Sequence, residues 1–432
     1  MAADAALTAG ANDAETRRRV VITGMGCLSP LGNDVDTTWQ GIREGRSGIG
    51  PVTRFDASRL PTHFAGEVKD FDPTTVIDRK TAKRMDRFQH YALAASIEAL
   101  ARSGLEITPA NAERIGVVIG SGIGGIESLT EQMDVLRDKG PSRVSPFLIT
   151  MMVIDLAPGF VSIVLGAKGP NYATVSACAT GAHAIGEASS IIRRGQADAM
   201  IAGGTEAGVV EVGMASFCNM RALSRRNDAP QQASRPFDAE RDGFVIAEGA
   251  GVVILEELEH ARRRNAPILA ELVGYGQTAD AHHMTEPAPE GEGAARAMAM
   301  ALANAGLRPD QIQYINAHAT STQVGDGRET EAIKSVFGEH AYKLAVSSTK
   351  SMTGHLVGAA GGLESIICVK ALCEGFLPPT INLEHPDPEC DLDYVPNEGR
   401  DAPLHAVMNN GYGFGGHNVS LVFQSVRDGI HR

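Results

Sequence analysis

The stretch Tyr172-Ala173-Thr174-Val175-Ser176-Ala177-Cys178-Ala179-Thr180-Gly181 decides how the rest of the chain is interpreted. β-Favouring residues up to Ser176 predict an approach strand, and a long helical run to Ile192 follows. Small residues on either side of Cys178 leave its sulfur open to a ligand at this strand-to-helix corner. A thiol at a helix N-terminus feels the partial positive charge of unpaired N–H groups, so we expect a lowered thiol pKa and a nucleophile. The competing interpretation of a single cysteine is a buried core residue.

Composition is that of an ordinary globular chain: 432 residues, 43% hydrophobic and 21% charged, enough for a large core or two domains. The formal net charge of -13 argues against nonspecific nucleic-acid binding, so a polyanionic partner would need a local basic patch. Six cysteines without CxxC spacing suggest neither a zinc site nor a disulfide scaffold. Because no long apolar run and no apolar N-terminal segment are present, we expect a cytoplasmic enzyme without membrane contact.

The order of predicted strands and helices repeats along the chain. Buried strands near residues 19–23, 115–120, 199–204 and 252–256 alternate with helices, including segments at 79–101 and 146–165, and the pattern restarts near residue 272. Thr353-Gly354-His355 and the glycines after it resemble Thr180-Gly181-Ala182-His183. We therefore predict an α/β fold of two duplicated βα halves, 19–265 and 266–426, in five layers (αβαβα), with disordered tails at 1–18 and 427–432. Such packing brings Cys178 and His355 to one central site.

Three further segments carry polar residues typical of catalysis. His318 lies in the stretch 316–322, Lys350 and His355 lie in 348–355, and a glycine-rich turn at 411–416 precedes a β run. Each histidine alone could be a core residue whose ring nitrogen is hydrogen-bonded to the backbone. The presence of two histidines, both beside turns of small residues, favours a catalytic role instead. Free N–H groups in the turn and at Cys178 would suit an oxyanion hole, worth about 2.7–4 kcal/mol per donor in acyl transfer.

On these four motifs the chain resembles the β-ketoacyl-acyl-carrier-protein synthases, the condensing enzymes of fatty-acid elongation, and among them the type II branch (KAS II). The resemblance extends from about residue 20 to residue 423, and it implies the thiolase fold, a homodimer and ping-pong chemistry. Cys178 would take the acyl chain from its carrier thioester, and malonyl-carrier protein would then lose carbon dioxide and attack the acyl-cysteine. His318 and His355 would stabilise the enolate, while the N–H groups of Cys178 and Phe414 would hold the oxyanion.

The resemblance also assigns supporting and binding residues by position. Lys350 would orient the site together with Glu364, and Asp326 would brace the His318 loop. Positions that match binders of the phosphopantetheine arm or of the acyl chain are Thr320, Thr322, Phe414 (also the gate), Phe217 and Ile123. Positions that match a basic patch for the acidic acyl carrier protein are Lys80, Lys83, Arg84, Arg143 and Arg221. No metal or cofactor is implied, because the phosphopantetheine arm arrives on the carrier-protein substrate.

Other members of this enzyme group remain as alternatives. A ketosynthase of a polyketide or specialised-lipid pathway, or a type I-like synthase with another chain-length preference, would carry the same motifs. Thiolase is disfavoured because no second cysteine lies in the glycine-rich turn, and His355 excludes the type III pattern, which has Asn there. Cys178 speaks against a noncatalytic partner subunit. Departures from the family pattern, which leave substrate preference unpredicted, are Ala319, Tyr412, His417 and the stretch 152–155.

Overall fold

The structure, a computed structural model, describes residues 18–426. The predicted tails therefore lie outside the described residues, except for Arg18. This arginine lies against the folded body, where its guanidinium donates to Asp198 Oδ1 at 2.6 Å and to the carbonyl of Ala197 at 3.0 Å. Within residues 18–426, no helix combines the length and the apolar character that crossing a membrane requires.

Strands and helices alternate along the described chain. The strands are β1 (Val20–Leu28), β2 (Gly50–Pro51), β3 (Phe64–Ala65), β4 (Ile115–Gly120), β5 (Asn171–Tyr172), β6 (Ala199–Glu206), β7 (Gly249–Glu257), β8 (Ala270–Ala279), β9 (Tyr314–Asn316), β10 (Ala345–Ser347), β11 (Phe376–Leu377), β12 (Arg400–Asp401), β13 (Ala406–Gly413) and β14 (His417–Gln424). The helices are α1 (Val35–Arg43), α2 (Arg79–Ala82), α3 (Arg87–Ser103), α4 (Ile126–Lys139), α5 (Leu148–Met152), α6 (Leu156–Leu165), α7 (Thr180–Arg193), α8 (Glu211–Asn219), α9 (Leu258–Arg263), α10 (Glu292–Ala305), α11 (Gly325–Phe337), α12 (Lys350–Thr353) and α13 (Ala360–Glu374).

The main sheet shows the duplication directly. Its ten strands have the order β10-β9-β13-β14-β8-β1-β7-β6-β4-β5. In the first half, β4 pairs in parallel with β5 and β6, and β7 pairs antiparallel with β6 and β1. In the second half, β9, β10, β13, β14 and β8 repeat this pattern strand for strand. The halves meet at a short antiparallel contact between β1 and β8.

Helices α7 and α13 form the central layer between the two halves of the sheet. They pack against each other and against strands of both halves, while α3 and α6 cover one outer face and α10 and α11 cover the other. The central helices cross at glycines: a Cβ on Gly181 would lie 2.7 Å from the nitrogen of Gly362, and one on Gly361 would lie 2.5 Å from the nitrogen of Ala182. The predicted α/β fold of two stacked halves in five layers is confirmed.

Two predicted helices are wrong as single elements. The segment 79–101 breaks between α2 and α3, because Asp86 begins a new helix by accepting a bond from the N–H of Phe88 while Gln89 accepts from the N–H of Asp86. The segment 146–165 breaks between α5 and α6, where Val153 is extended (φ -71°, ψ 137°). The apolar periodicity predicts one continuous helix in each segment. Capping residues interrupt the first helix, and one extended residue interrupts the second.

The predicted register of the internal repeat is also wrong. Single-turn 3-10 helices precede both central helices, at Ala177–Ala179 before α7 and at Val357–Ala359 before α13. Ala177 and Val357 share a positive φ, 48° and 47°, so Cys178 corresponds to Gly358 in the second half. His355 therefore lies upstream of this turn and matches no residue in the first turn of α7. The backbone conformation gives the correct register of the repeat, whereas the two similar Thr-Gly pairs in the sequence predicted a shifted register.

Candidate active site

Cys178 lies in a tight elbow between an extended approach and α7. Ala177 takes a left-handed conformation (φ 48°), and the Thr180 hydroxyl accepts a bond from the Ser176 N–H at 2.9 Å. The glycine-rich turn packs directly on this elbow, since a Cβ on Gly413 would lie 2.4 Å from the carbonyl oxygen of Ser176 and 3.1 Å from the Cys178 nitrogen. The close approach requires glycine at this position and sets the position of the next residue, Phe414.

A cavity of about 620 Å³ opens beside the cysteine and collects most of the predicted site residues. Those that line it are Cys178, His318, His355, Thr320, Thr322, Phe414, Phe217, Ile123 and Arg221. Lys350, Glu364 and Asp326 are buried behind its wall. Residues separated by more than 200 positions in sequence thus surround one space, as the duplicated fold predicts.

Cys178, His318 and His355 form a compact cluster. The Nε2 atom of His355 lies 2.9 Å from the sulfur of Cys178, and the two imidazole rings stand nearly perpendicular with their centroids 5.4 Å apart. Potential ligand or donor atoms of the three residues all lie within 4.8 Å of one another. The backbone N–H of Phe414 also bonds to the cysteine sulfur. Two imidazoles and one backbone N–H therefore converge on the sulfur.

The protonation states differ from the expectation for the cysteine. Burial raises the pKa of the Cys178 thiol to about 12, although the Lys350 ammonium and the Phe414 N–H both act to lower it. The expected lowered thiol pKa is therefore wrong for the free chain, because burial outweighs the helix start. Burial and then the Lys350 charge hold the pKa of His318 and His355 well below the usual range. Both imidazoles are neutral at pH 7, each with one N–H donor and one lone pair.

Lys350 provides this charge from a buried ion pair with Glu364. The ammonium contacts Glu364 Oε1, and the two side chains are 1% and 4% exposed. Burial raises the pKa of Glu364 to about 7, while the Lys350 charge acts in the opposite direction. Because neither group reaches the cavity surface, the pair acts on the cysteine and the histidines electrostatically rather than by contact with a ligand.

The His318 loop is held by a carboxylate that the sequence analysis missed. Glu329 is buried, and its two oxygens accept the N–H of His318 at 3.0 Å and the N–H of Ala319 at 2.7 Å. Asp326 instead accepts from Thr322 at 3.3 Å and from Phe237 at 3.0 Å, so it bonds the far end of the loop. The i, i+3 spacing of Asp326 and Glu329 on α11, directly after the loop, is a signal that could have identified both residues.

Of the predicted docking cations, Arg221 lines the cavity, Lys80 lies in α2 with Lys83 and Arg84 directly after it, and Arg143 lies in a separate turn. Lys80, Lys83, Arg143 and Arg221 are exposed, and Arg84 places its guanidinium 4.4 Å from the ring centre of Phe147. Within residues 18–426, none of these five side chains forms a salt bridge. Four of them therefore offer their charge to solvent or to a partner.

Comparison with known families gives matches along most of the chain. The family description "Beta-ketoacyl synthase, N-terminal domain" matches residues 17–261, and "Beta-ketoacyl synthase, C-terminal domain" matches residues 269–384. A Synechocystis protein named 3-oxoacyl-(acyl-carrier-protein) synthase 2 is 56% identical over 408 residues, which cover 94% of this chain and 98% of that protein. A Coxiella burnetii protein of the same name is 53% identical over 412 residues, covering 95% and 100%.

Solved structures show the same architecture. A β-ketoacyl synthase from Burkholderia phymatum superposes with a TM-score of 0.89 at 37% identity, covering 95% of this chain and 100% of that one. A type II polyketide ketosynthase, solved in complex with its acyl-carrier protein and bound to a hexaketide, gives a TM-score of 0.88 at 35% identity with the same coverage.

Proposed function

The chain belongs to the β-ketoacyl synthase family, and from this premise we propose that Cys178, His318 and His355 carry out its condensation reaction. It is an acyltransferase with the thiolase fold, and its reaction is the decarboxylating condensation of fatty-acid elongation. The observation that carries the residue assignment is the 2.9 Å contact between Cys178 Sγ and His355 Nε2, with His318 beside it.

Acyl transfer is the first half of the proposed reaction. The Cys178 thiol gives its proton to the lone pair of neutral His355, and the thiolate attacks the carbonyl carbon of the acyl-carrier thioester. The N–H groups of Phe414 and Cys178 bind the tetrahedral oxyanion. Collapse breaks the bond to the carrier sulfur, which takes the proton from His355. The high pKa of the free thiol keeps the cysteine protonated until substrate occupies the cavity.

Condensation is the second half. In this half His355 must be in the tautomer that carries its proton on Nε2, so that the thioester oxygen of malonyl-carrier protein receives hydrogen bonds from the N–H groups of His318 and His355, which stabilise the enolate as carbon dioxide leaves. The enolate carbon attacks the acyl carbonyl on Cys178, and the oxyanion again faces Phe414. Collapse releases the β-ketoacyl product and the Cys178 thiolate, which takes up a proton from water to restore the thiol. Burial and the Lys350 charge together keep both imidazoles neutral, so each retains one N–H and one lone pair.

The proposed substrate site uses the division of the cavity that the resemblance implies. We propose that Ile123 and Phe217 contact the acyl chain, that Thr320 and Thr322 contact the phosphopantetheine arm, and that Phe414 gates the passage between them. Phe217 belongs to an apolar cluster under the cysteine, and its ring meets Phe244 edge-on at 5.3 Å. No metal or cofactor enters this scheme, since the arm arrives on the carrier protein.

Acyl carrier protein is the proposed partner. A related ketosynthase has been solved with its acyl-carrier protein, which supports such a partner for this chain. Docking through the exposed cations Lys80, Lys83, Arg143 and Arg221, with Arg84 beside them, suits an acidic protein and a chain whose own net charge is -13. We place the reaction in the cytoplasm, where this acidic partner would be loaded.

We also propose a homodimer that forms at the β5 edge. This strand ends the main sheet and is exposed along its length, so its free edge can pair with a second copy. Large apolar side chains are exposed on β5 and shortly after it (Tyr172 and Val175), on α6, which packs against β5 (Ile163 and Val164), and on α4 and α5 (Leu129, Met133, Leu136 and Ile149). A monomer rarely exposes many apolar groups of this size, and a second copy related by a two-fold axis would cover those on β5 and α6. Sedimentation of parent and Ile163→Glu protein tests this: a parent monomer contradicts it.

Identity favours fatty-acid elongation over polyketide assembly. The relatives named 3-oxoacyl-(acyl-carrier-protein) synthase 2 share 53% to 56% identity with this chain, whereas the type II polyketide ketosynthase shares 35%. A chain-length series of acyl-carrier proteins distinguishes the two: unfunctionalised acyl chains should be extended faster than β-ketoacyl chains. Preference for poly-β-keto substrates would support the alternative.

The assigned residues are tested by separating the half-reactions. In Cys178→Ala, acyl transfer should vanish while malonyl-carrier protein still loses carbon dioxide. In His355→Ala, decarboxylation should fall by about 10²-fold or more. Cys373→Ser is the matched control, because this thiol is exposed and lies outside the cavity. Normal β-ketoacyl synthesis by Cys178→Ala would show that the nucleophile is assigned to the wrong residue.

A further inference from the structure

A buried carboxylate outside the catalytic cluster joins the two halves of the molecule beside the cavity. Glu206 is the last residue of β6 and is completely buried. Its Oε1 accepts from the Ser121 hydroxyl at 2.7 Å and from the Ile123 N–H at 3.2 Å. Its Oε2 accepts from the N–H of Gly122 at 2.8 Å and of Gly358 at 3.0 Å. One side chain thus holds a turn of the first half and the helix start of the second.

Burial raises the pKa of Glu206, whereas its four hydrogen bonds act in the opposite direction and favour the ionised carboxylate. Three of the four groups that bond to Glu206 are backbone N–H groups, which donate and never accept. If the Glu206 carboxyl group were protonated, its O–H oxygen would be a poorer acceptor for these donors. Space is equally restricted, because a Cβ on Gly122 or on Gly358 would lie 2.8 Å from Glu206 Oε2. Glycine at both positions lets the two backbones close around the carboxylate.

The held turns form one wall of the cavity. Gly122, Ile123 and Val357, the neighbour of Gly358, line the space next to Cys178, whereas the Glu206 carboxylate lies behind them. A shift of either turn would move the surface that the acyl chain meets. The bonds of Glu206 therefore determine the shape of the cavity without contact between Glu206 and a substrate.

The same carboxylate acts on the cysteine through its charge. Burial is the largest cause of the raised pKa of Cys178; the charges of Glu206 and Glu364 raise it further, and the Lys350 charge lowers it. Glu364 is compensated by its contact with the Lys350 ammonium, whereas none of the bonds described for Glu206 comes from a charged group. The remaining titratable neighbours of the thiol, His318 and His355, are neutral.

We propose that Glu206 is a positioning residue: it fixes Gly122 and Ile123 against the start of α13, and its buried negative charge adds to the burial that keeps Cys178 a thiol until His355 receives the proton. The part that concerns the cavity wall rests on the proposed function, because it assumes that an acyl chain occupies this space. The part that concerns the thiol needs no substrate. Two substitutions separate the parts: Glu206→Gln removes the charge and keeps the length, and Glu206→Asp keeps the charge and shortens the reach.

The thiol is tested by its alkylation rate. Iodoacetamide labelling of the Cys178 peptide is followed by mass spectrometry from pH 7 to pH 11, with exposed Cys373 as the internal reference and buried Cys27 as the report on folding. In Glu206→Gln the profile for Cys178 should move to lower pH by about one pH unit, so that labelling at pH 8 is about tenfold faster. The profile of Glu206→Asp should keep the parent position. Glu256→Gln, which neutralises an equally buried carboxylate at the other end of the sheet, should leave Cys178 unchanged.

The cavity wall is tested by the half-reactions. Glu206→Asp cannot reach all four donors, so acyl transfer to Cys178 should slow by about tenfold, while malonyl decarboxylation stays within about twofold of the parent. An unshifted labelling profile in Glu206→Gln, or an equal shift in Glu256→Gln, would overturn the electrostatic role. Parental acyl transfer in Glu206→Asp would overturn the positioning role. Absence of acyl transfer in the parent would instead refute the proposed function, and the labelling result would still decide the charge effect.

Discussion

The contact between the glycine-rich turn and the cysteine elbow yields a prediction with a magnitude. A Cβ on Gly413 would lie 2.4 Å from the Ser176 carbonyl oxygen, and carbon and oxygen normally approach no closer than about 3.3 Å. Gly413→Ala must therefore displace the turn by about 1 Å, and with it the Phe414 N–H that bonds the cysteine sulfur. Misplacement by this distance costs about 10²-fold in rate when the group serves the transition state.

The assay measures the two half-reactions separately. Single-turnover acylation of Cys178 from acyl-carrier protein should slow by about 10²-fold in Gly413→Ala, whereas malonyl decarboxylation, which depends on the histidines, should change far less. Gly411→Ala is the matched control on the same strand, because its added Cβ would meet a side-chain atom, Val419 Cγ1, at 3.2 Å, which needs to give by only a few tenths of an ångström. Acylation of Gly413→Ala within twofold of the parent, or equal loss of both half-reactions, would refute the oxyanion role of Phe414.

Three further predictions concern charge. In Lys350→Met combined with Glu364→Gln, the pKa of both imidazoles should rise once the cation is absent, so the acid limb of the pH–rate profile for decarboxylation should move to higher pH; an unmoved limb would contradict the electrostatic role of Lys350. Glu256 is buried, which alone would raise its pKa, yet bonds led by that from Arg264 hold it at about 2; it therefore stabilises the fold above about pH 4.5 and this contribution is lost as the pH falls towards 2. Urea unfolding should show that Glu256→Gln removes about 3 kcal/mol of the difference between pH 7 and pH 2, and an unchanged difference would contradict the pairing. Charge reversal of the docking cations Lys80, Lys83 and Arg84 should reduce kcat/KM for acyl-carrier protein about tenfold at low salt, without affecting acyl-pantetheine, and equal losses on both substrates would argue against docking.

The main features of the cavity could be predicted from the sequence because their signals are local. Cys178, His318 and His355 each lie beside small residues in a short motif, and a duplicated α/β order brings such motifs together. The same local signals explain why the strand pattern of both halves could be anticipated.

Other features depend on contacts that the amino-acid sequence does not show. Glu329 and Glu206 act mainly by accepting backbone N–H groups, which the amino-acid sequence does not display; only the i, i+3 spacing from Asp326 points to Glu329. The pKa of Cys178 follows from how completely the fold buries it, which outweighs the helix start that the sequence shows. The repeat register depends on the positive φ of Ala177 and Val357, a backbone property that neither residue type suggests.

The direct test of the central claim is the mass of the acylated peptide. The parent protein is incubated with acyl-loaded carrier protein alone, quenched in acid and digested. The mass of each cysteine-containing peptide is then measured by mass spectrometry. The account predicts one acyl group on the peptide that contains Cys178, its absence in Cys178→Ala, and its release when malonyl-carrier protein is added. An acyl group on exposed Cys373, or undiminished acylation of Cys178→Ala, would contradict the claim that Cys178 carries the growing chain.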